Sequence, residues 1–129
     1  MSSQRIFDKL LELVVPALQS ASTNSTGVQF AYGSVEDAVV EINVTAVTGT
    51  TPTFVPELQV TNDAGSTWKT VAKGQAITAI GRYELAFTGL GAAAFLTPSA
   101  TPASNQVRFV STLAGTTPNF TFGAYLTKD

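Results

Sequence analysis

The sequence predicts an all-β protein: an antiparallel β-sandwich of jelly-roll-like type with a short N-terminal helix or arm. Three observations predict it: apolar and polar residues alternate in several segments, one short sequence occurs twice, and the composition is rich in threonine. The 129 residues are enough for one domain with a hydrophobic core. We expect the helix or arm and its linker in residues 1–26 and the sandwich in residues 27–129.

The N-terminal segment carries the pattern of a short helix. Residues 4–13 read QRIFDKLLEL, with apolar residues at three- and four-residue spacing, and Pro16 follows. A helix of about ten residues is not stable alone, so we expect it to dock on its own domain or on a neighbouring subunit. It is too short to span a membrane. We expect it to remain part of the protein and not to be removed as a secretory signal. Its candidate intersubunit contacts are Phe7, Leu10, Leu11, Val14 and Leu18.

Five later segments show the two-residue period of half-buried antiparallel strands. In residues 39–47, VVEINVTAV, Val40, Ile42 and Val44 share one face, while Glu41 and Asn43 share the other. Such alternation is typical of strands with one face on the core. The same alternation occurs in residues 54–60, 82–88, 107–113 and 120–126.

A repeated sequence connects two pairs of these segments. Residues 49–54 read GTTPTF and residues 115–120 read GTTPNF, and the flanking apolar positions also match. Glycine adopts positive φ without steric cost and proline fixes φ, so Gly49, Pro52, Gly115 and Pro118 predict turns. We expect the same hairpin twice, one in each of two facing sheets. The alternative is a good turn sequence that arose twice by chance.

A third predicted turn follows residues 54–60. Residues 61–68, TNDAGSTW, match the Asp-box pattern S/T-x-D-x-G-x-T-W through Asp63, Gly65 and Trp68. The carboxylate can accept hydrogen bonds from the turn, the glycine can take the left-handed position, and the tryptophan is expected to return to the core. Asp boxes are structural hairpins in sialidases and other propellers. We therefore expect a structural role here and no ligand.

The composition excludes several classes of function. Seven basic residues are scattered along a chain of net charge −2, which argues against binding of nucleic acid. The chain has no cysteine and no histidine, so thiolate sites and the commonest general base are absent. The adjacent Glu36 and Asp37 lack the surrounding oxygen spacing of a calcium loop. We expect no catalytic residues, no metal, no cofactor and no association with a membrane.

The low charge leaves two interpretations open. Charged residues make up 12% of the chain, about half the usual share, and there are nineteen threonines. Either hydroxyl groups keep a free protein soluble, or partners cover much of its surface. Residues 88–105, TGLGAAAFLTPSATPASN, are equally open to two interpretations: an arm lying on a neighbour, or a long sandwich loop. In the first case Phe95 and Leu96 are further candidate intersubunit contacts.

The order of these motifs resembles that of small β-sandwich virion proteins of tailed bacteriophages and prophages. The sequence AVVEINVTAVTGTTPTF is followed by ELQVTNDAGSTW, GRYELAF and VRFVSTLAGTTPNFTFGAYL. The family pattern has a VxVTAVxGTxPT hairpin, a QxSxDGGxTW turn and a closing VGGTxPSFTF strand. The resemblance covers roughly residues 37–126. NDAGSTW and AGTTPNF depart slightly from the family forms.

The resemblance implies a virion component, made in the host cytoplasm, without catalytic residues. We expect a capsid decoration (cement) protein that bridges subunits of the major capsid protein or another virion protein, most simply as a homotrimer. The alternative is a β-sandwich of a head or tail fibre that binds glycans on the host surface. A glycosidase fragment, suggested by the Asp box, is a third and weaker possibility.

Overall fold

A computed structural model describes residues 8–29, 38–87 and 101–128, which consist almost entirely of antiparallel strands. This confirms the predicted all-β class. A single turn of 3₁₀ helix, Pro102–Ser104, precedes the last strand. The strands are β1 (Asp8–Gln19), β2 (Thr23–Asn24), β3 (Val28–Gln29), β4 (Ala38–Thr61), β5 (Lys69–Lys73), β6 (Gly81–Phe87) and β7 (Gln106–Lys128).

The two long strands, β4 and β7, form the centre of the sheet. They pair along their whole length, from Ala38 opposite Lys128 to Thr61 opposite Gln106. The sheet order is β1-β7-β4-β5; β2 and β3 also pair with β7, and β6 also pairs with β4. Residues 8–29 therefore flank β7, while residues 69–87 flank β4.

The β4–β7 ladder folds back on itself around the core. Phe122 lies opposite Val44, ten residues along β4 from Phe54. A flat ladder would separate those positions by about 30 Å, at roughly 3.3 Å per residue. The rings of Phe54 and Phe122 nevertheless have centroids 4.5 Å apart. The parts of the ladder on either side of its middle therefore face each other, and their inner faces supply the core.

The predicted division into two separate sheets is not confirmed, because the strands form one hydrogen-bonded sheet of seven strands. The alternation did identify the inward positions correctly. Val40, Ile42 and Val44 are buried in the first part of β4, and Phe120, Phe122, Ala124 and Leu126 are buried in β7. These side chains lose almost all contact with water, and apolar burial is the main favourable term in folding.

The prediction of two GTTP hairpins is wrong. Both copies lie inside continuous strands, in the middle of β4 and of β7, where Thr50 is paired with Thr116. Gly49 and Gly115 do adopt positive φ, at 117° and 113°. The positive φ values and the register shifts on either side of the Thr50–Thr116 pair mark an irregular crossing at which the ladder bends. Glycine and proline in this sequence can form a hairpin turn, but here, where a second strand lies opposite, they form a bend within a continuous strand.

The predicted N-terminal helix is also wrong for residues 8–13, which begin strand β1; residues 4–7 lie outside the described ranges. β1 pairs with the end of β7, from Asp8 opposite Lys128 to Gln19 opposite Phe120. A short isolated helix is only marginally stable, whereas pairing satisfies backbone groups along one side of β7. Pro16 is tolerated because it falls within a register shift of an edge strand.

The polar segment after β1 is attached to β7 as well. Ser25 donates its backbone N–H to the carbonyl oxygen of Phe109 at 2.8 Å, and its hydroxyl accepts the Phe109 N–H at 2.8 Å. The hydroxyl of Ser22 accepts the Leu113 N–H at 2.8 Å. Residues 8–29 are therefore held along the length of β7, and the strand pairing does not separate residues 8–26 from the rest of the sheet.

Candidate functional site

The outer edge of β1 is the first candidate for a functional surface. Within the described residues β1 ends the sheet, with β7 on one side and no strand on the other. Val15 and Leu18 are 64% and 63% exposed, whereas Leu13 is 6% exposed and belongs to the core. An edge that carries exposed aliphatic side chains is a ready site for contact with another chain.

A groove borders this edge on the side of the β1–β2 connection. It is lined by residues of β1, including Glu12, Val15 and Gln19, and by Thr23, Asn24, Ser25 and Thr26. Glu12 is the one charged residue among them. The groove therefore offers hydroxyl and amide groups beside aliphatic ones, a mixture suited to another protein surface.

The turn between β4 and β5 is the second candidate, and hydrogen bonds to Asp63 organise it. The Asp63 carboxylate accepts bonds from the Thr61 hydroxyl (2.6 Å), the Thr67 backbone N–H (2.9 Å) and the Thr67 hydroxyl (2.6 Å). The Thr61 hydroxyl in turn accepts the N–H groups of Asp63 and Gly65 at 3.2 Å. Gly65 has a φ of 97°. The predicted roles of Asp63 and Gly65 in the turn agree with this geometry.

These bonds also keep Asp63 charged down to a lower pH. The bonds from Thr61 and Thr67 lower the pKa of the carboxyl group from 3.8 to about 2, because they stabilise the charged form. The carboxylate is thus ionised at neutral pH, with both oxygens engaged within the turn. That arrangement fits a structural group better than a nucleophile or a general base, which needs a pKa nearer the working pH.

Trp68 closes the same turn but does not enter the core. It is half-buried, and the guanidinium carbon of Arg108 lies 4.2 Å from the centroid of its ring, a cation–π contact. Arg108 also donates from Nε to the side-chain oxygen of Gln59 at 2.8 Å, and partial burial lowers its pKa. The expectation that Trp68 returns to the core is therefore wrong; its ring lies beneath Arg108 at the surface.

The remaining described aromatic side chains with polar groups are also half-buried. Tyr83 packs against the core, and its hydroxyl donates to the carbonyl oxygen of Ala79 at 2.7 Å. Tyr125 is half-buried on β7. Within the described residues, no tyrosine or tryptophan presents a mostly exposed ring to solvent.

A small charged cluster lies on β4 and β6. Arg82 on β6 donates to the carboxylate of Glu41 on β4, diagonally across the strand pair, and Glu84 lies directly opposite Glu41. Arg82 is largely exposed, and an exposed pair of this kind contributes little to stability. In the described part of the chain, no group of three or more His, Cys, Asp or Glu side chains could hold a metal ion. No helix there is long and apolar enough to cross a membrane.

The structure brings together some predicted residues and leaves others untested. At the strand crossing Gly49 lies against Pro118 and Gly115 lies against Pro52, while Asp63, Gly65 and Trp68 share one turn. Val14 packs against the core and Leu18 is exposed, both on β1. Leu10 and Leu11 are in β1, but only their backbone is described. Phe7, Phe95 and Leu96 lie outside the described residues.

Sequence reasoning missed Arg108 and Gln59, which are directly paired on β7 and β4. Both residues occupy outward positions in predicted strands, which is a signal for surface side chains that can pair. The sequence does not show that these two strands lie side by side. It also missed Ser22 and Ser25, whose hydroxyls bond to β7. Their segment has the composition of a loop, and composition alone does not show a distant backbone partner.

Comparison of the chain with protein-family models, curated proteins and solved structures gave no match.

Proposed function

We propose that this protein is a structural component of a bacteriophage virion, most simply a capsid decoration (cement) protein that bridges and stabilises shell subunits. The order of sequence motifs supports this proposal, as does the low content of charge. The structural observation that carries it is the open edge of β1, with Val15 and Leu18 exposed in one strand.

The β1 edge suits a bridging role for a physical reason. Its side away from β7, which pairs with no strand among the described residues, offers backbone donors and acceptors, and covering its exposed aliphatic groups with another chain is favourable. One such contact need not be strong. A shell presents many equivalent positions, and several simultaneous contacts raise the overall affinity without any new kind of interaction.

The proposed role involves buried area and no chemical reaction. The sequence offers no histidine or cysteine, and the carboxylate of Asp63 is engaged by its own turn. The proposed partner is the major capsid protein or another virion protein. A homotrimer at a threefold position of the shell is the simplest arrangement. The predicted contacts within residues 7–18 and the 88–105 segment are its proposed interfaces.

A glycan-binding module is the alternative, and it has less support. Such modules stack sugar rings on exposed aromatic faces, whereas Trp68 lies beneath Arg108 and Tyr83 packs against the core. Tyr32 lies outside the described residues. A glycan array tests this alternative directly: binding that is lost in Trp68→Ala would favour it.

The proposal is tested on particles produced with and without the gene for this protein. Quantitative mass spectrometry of purified particles should find the chain at a fixed ratio to the major capsid protein. Particles that lack it should break open at a lower temperature, or under milder ionic stress, than particles that contain it. Addition of the purified protein should restore their resistance. Absence of the chain from particles, or particles of equal resistance without it, would contradict a cement role.

A further inference from the structure

The two GTTP segments are related by an approximate twofold axis through the Thr50–Thr116 pair. Rotation about such an axis exchanges residue i of β4 with residue i + 66 of β7. The observed pairs obey this rule: Thr48 opposite Asn119 matches Thr53 opposite Ala114. The next two pairs on each side match as well, as far as Ala46 opposite Thr121 and Val55 opposite Thr112.

The local geometry repeats as closely as the register. The φ value is 46° at both Thr51 and Thr117, and each hydroxyl donates to the carbonyl oxygen of the preceding threonine at 2.8 Å. A Cβ atom at Gly49 would lie 2.6 Å from the carbonyl oxygen of Thr117. One at Gly115 would lie 2.6 Å from that of Thr51. Each copy thus forms the surroundings of the other.

The symmetry extends to the flanking strands. We define the first half as residues 8–61, strands β1–β4, and the second half as residues 69–128, strands β5–β7. β1 pairs with the C-terminal part of β7 as β5 pairs with that of β4. β2 and β3 pair with the N-terminal part of β7 as β6 pairs with that of β4. The chain is built as two similar halves.

Within the described residues, every strand pair of the sheet joins the first half to the second. Neither half therefore contributes two neighbouring strands of its own, and each completes its sheet only with the other. The covalent connection between the halves, residues 62–68, is the Asp63 turn. A second copy of the chain contains the same two halves, so each half could pair equally well with the opposite half of that copy.

We propose that the two halves of this chain can exchange between two copies, with residues 62–68 as the hinge, and that the exchanged dimer forms when the hinge cannot turn back. In the exchanged dimer, the first half of each copy pairs with the second half of the other. All strand pairs of the closed monomer are kept, and only the hinge changes conformation. The inference concerns self-assembly and does not depend on the proposed virion role.

The hinge determines which form prevails. A closed connection holds the two halves of one chain at a high effective concentration, which favours the monomer. The bonds from Thr61 and Thr67 to Asp63 hold the connection in its tight turn. If the hinge cannot turn back, the two halves of one chain can no longer pair with each other. Each half must then pair with the opposite half of another copy.

The test shortens the hinge by deletion of residues 62–67, which joins Thr61 to Trp68 as a two-residue connection. Hairpin connections of that length need positive φ at one or both central residues, which threonine and tryptophan disfavour. Replacement of residues 62–67 by six Gly/Ser residues is the matched control of unchanged length. Light scattering after size-exclusion chromatography should give twice the 13.5 kDa chain mass for the deletion. The control should remain a monomer, like the parent, when it is run at low micromolar concentration.

A pair of introduced cysteines shows whether the halves are exchanged. The chain has no cysteine of its own, and directly opposed residues such as Thr50 and Thr116 lie close to disulfide range. With Thr50→Cys and Thr116→Cys, the oxidised deletion variant should run as a covalent dimer on a non-reducing denaturing gel, and the length-matched control as a monomer. A folded monomeric deletion variant, a dimer whose disulfides stay within one chain, or a deletion that leaves the chain unfolded at every concentration would each overturn the proposal.

Discussion

Phe54 and Phe120 meet edge to face in the core, with ring centroids 5.4 Å apart and ring planes at 81°. Each is the last residue of its GTTP segment, and each is fully buried. The two rings therefore connect the bend in β4 with the bend in β7, and the geometry is the favourable one for an aromatic pair.

We expect Phe54→Ala and Phe120→Ala each to lower the free energy of unfolding by about 3–5 kcal/mol, because each leaves a large cavity. Urea denaturation followed by circular dichroism measures the loss. The exposed Thr48→Ala on the same strand is the control and should change stability by less than about 0.5 kcal/mol. A loss at only one phenylalanine would contradict their equivalence.

The two glycines at the strand crossing should respond alike to substitution. Gly49→Ala and Gly115→Ala place a Cβ atom against a backbone carbonyl at positive φ, and we expect each to cost roughly 1–3 kcal/mol. Thermal unfolding of both variants beside the parent measures this cost. Free tolerance of alanine at either site would show that the bend does not require glycine.

Asp63 should make stability depend on pH in the acid range. Its pKa is about 2 in the folded protein and 3.8 ordinarily, so its contribution is complete above the ordinary value and is lost as pH falls through about 2. We expect the urea midpoint of the parent to exceed that of Asp63→Asn at pH 7, and the two midpoints to converge near pH 2. A difference that stays constant from pH 7 to pH 2 would mean that the charge of Asp63 has no part in the turn.

Arg108 should control the environment of Trp68. The chain has one tryptophan, so fluorescence excited selectively at tryptophan reports on the surroundings of this one ring. Arg108→Ala uncovers the ring, and we expect a red-shifted emission together with a loss of about 1 kcal/mol of unfolding free energy. Lys73→Ala, an exposed position on the neighbouring β5, should leave the emission unchanged. Equal spectra for the parent and Arg108→Ala would contradict the cation–π contact.

Much of the fold follows from the sequence, because the two-residue period of segments such as 39–47 and 120–126 is a local property. The positive φ of Gly49 and Gly115 and the turn around Asp63 were also predicted from local chemistry. The placement of the two GTTP copies opposite each other was not, since the pairing of residues 66 positions apart is a tertiary relationship. A local pattern cannot distinguish a turn from a bend in two paired strands.

The N-terminal segment shows the same limit. Residues 8–13 have helical spacing, but β7 offers them a partner strand, and tertiary pairing overrides a weak helix preference. Leu13 is part of the core, so we expect Leu13→Ala to cost about 2–5 kcal/mol. Deletion of residues 1–20 is expected to damage the fold, and point variants on the exposed side of β1 are the better probes of function.

The most direct measurement of the proposed function is the binding of such variants to particles that lack this protein. Leu18→Lys places a charge on the exposed side of β1. Ile80→Lys does the same at a position of nearly equal exposure, 64% against 63%, outside that strand. Both variants should unfold at the parent's urea concentration. Co-sedimentation with the particles should fall at least tenfold for Leu18→Lys and stay at the parent's level for Ile80→Lys. Equal binding by the parent and Leu18→Lys would contradict attachment through the β1 edge.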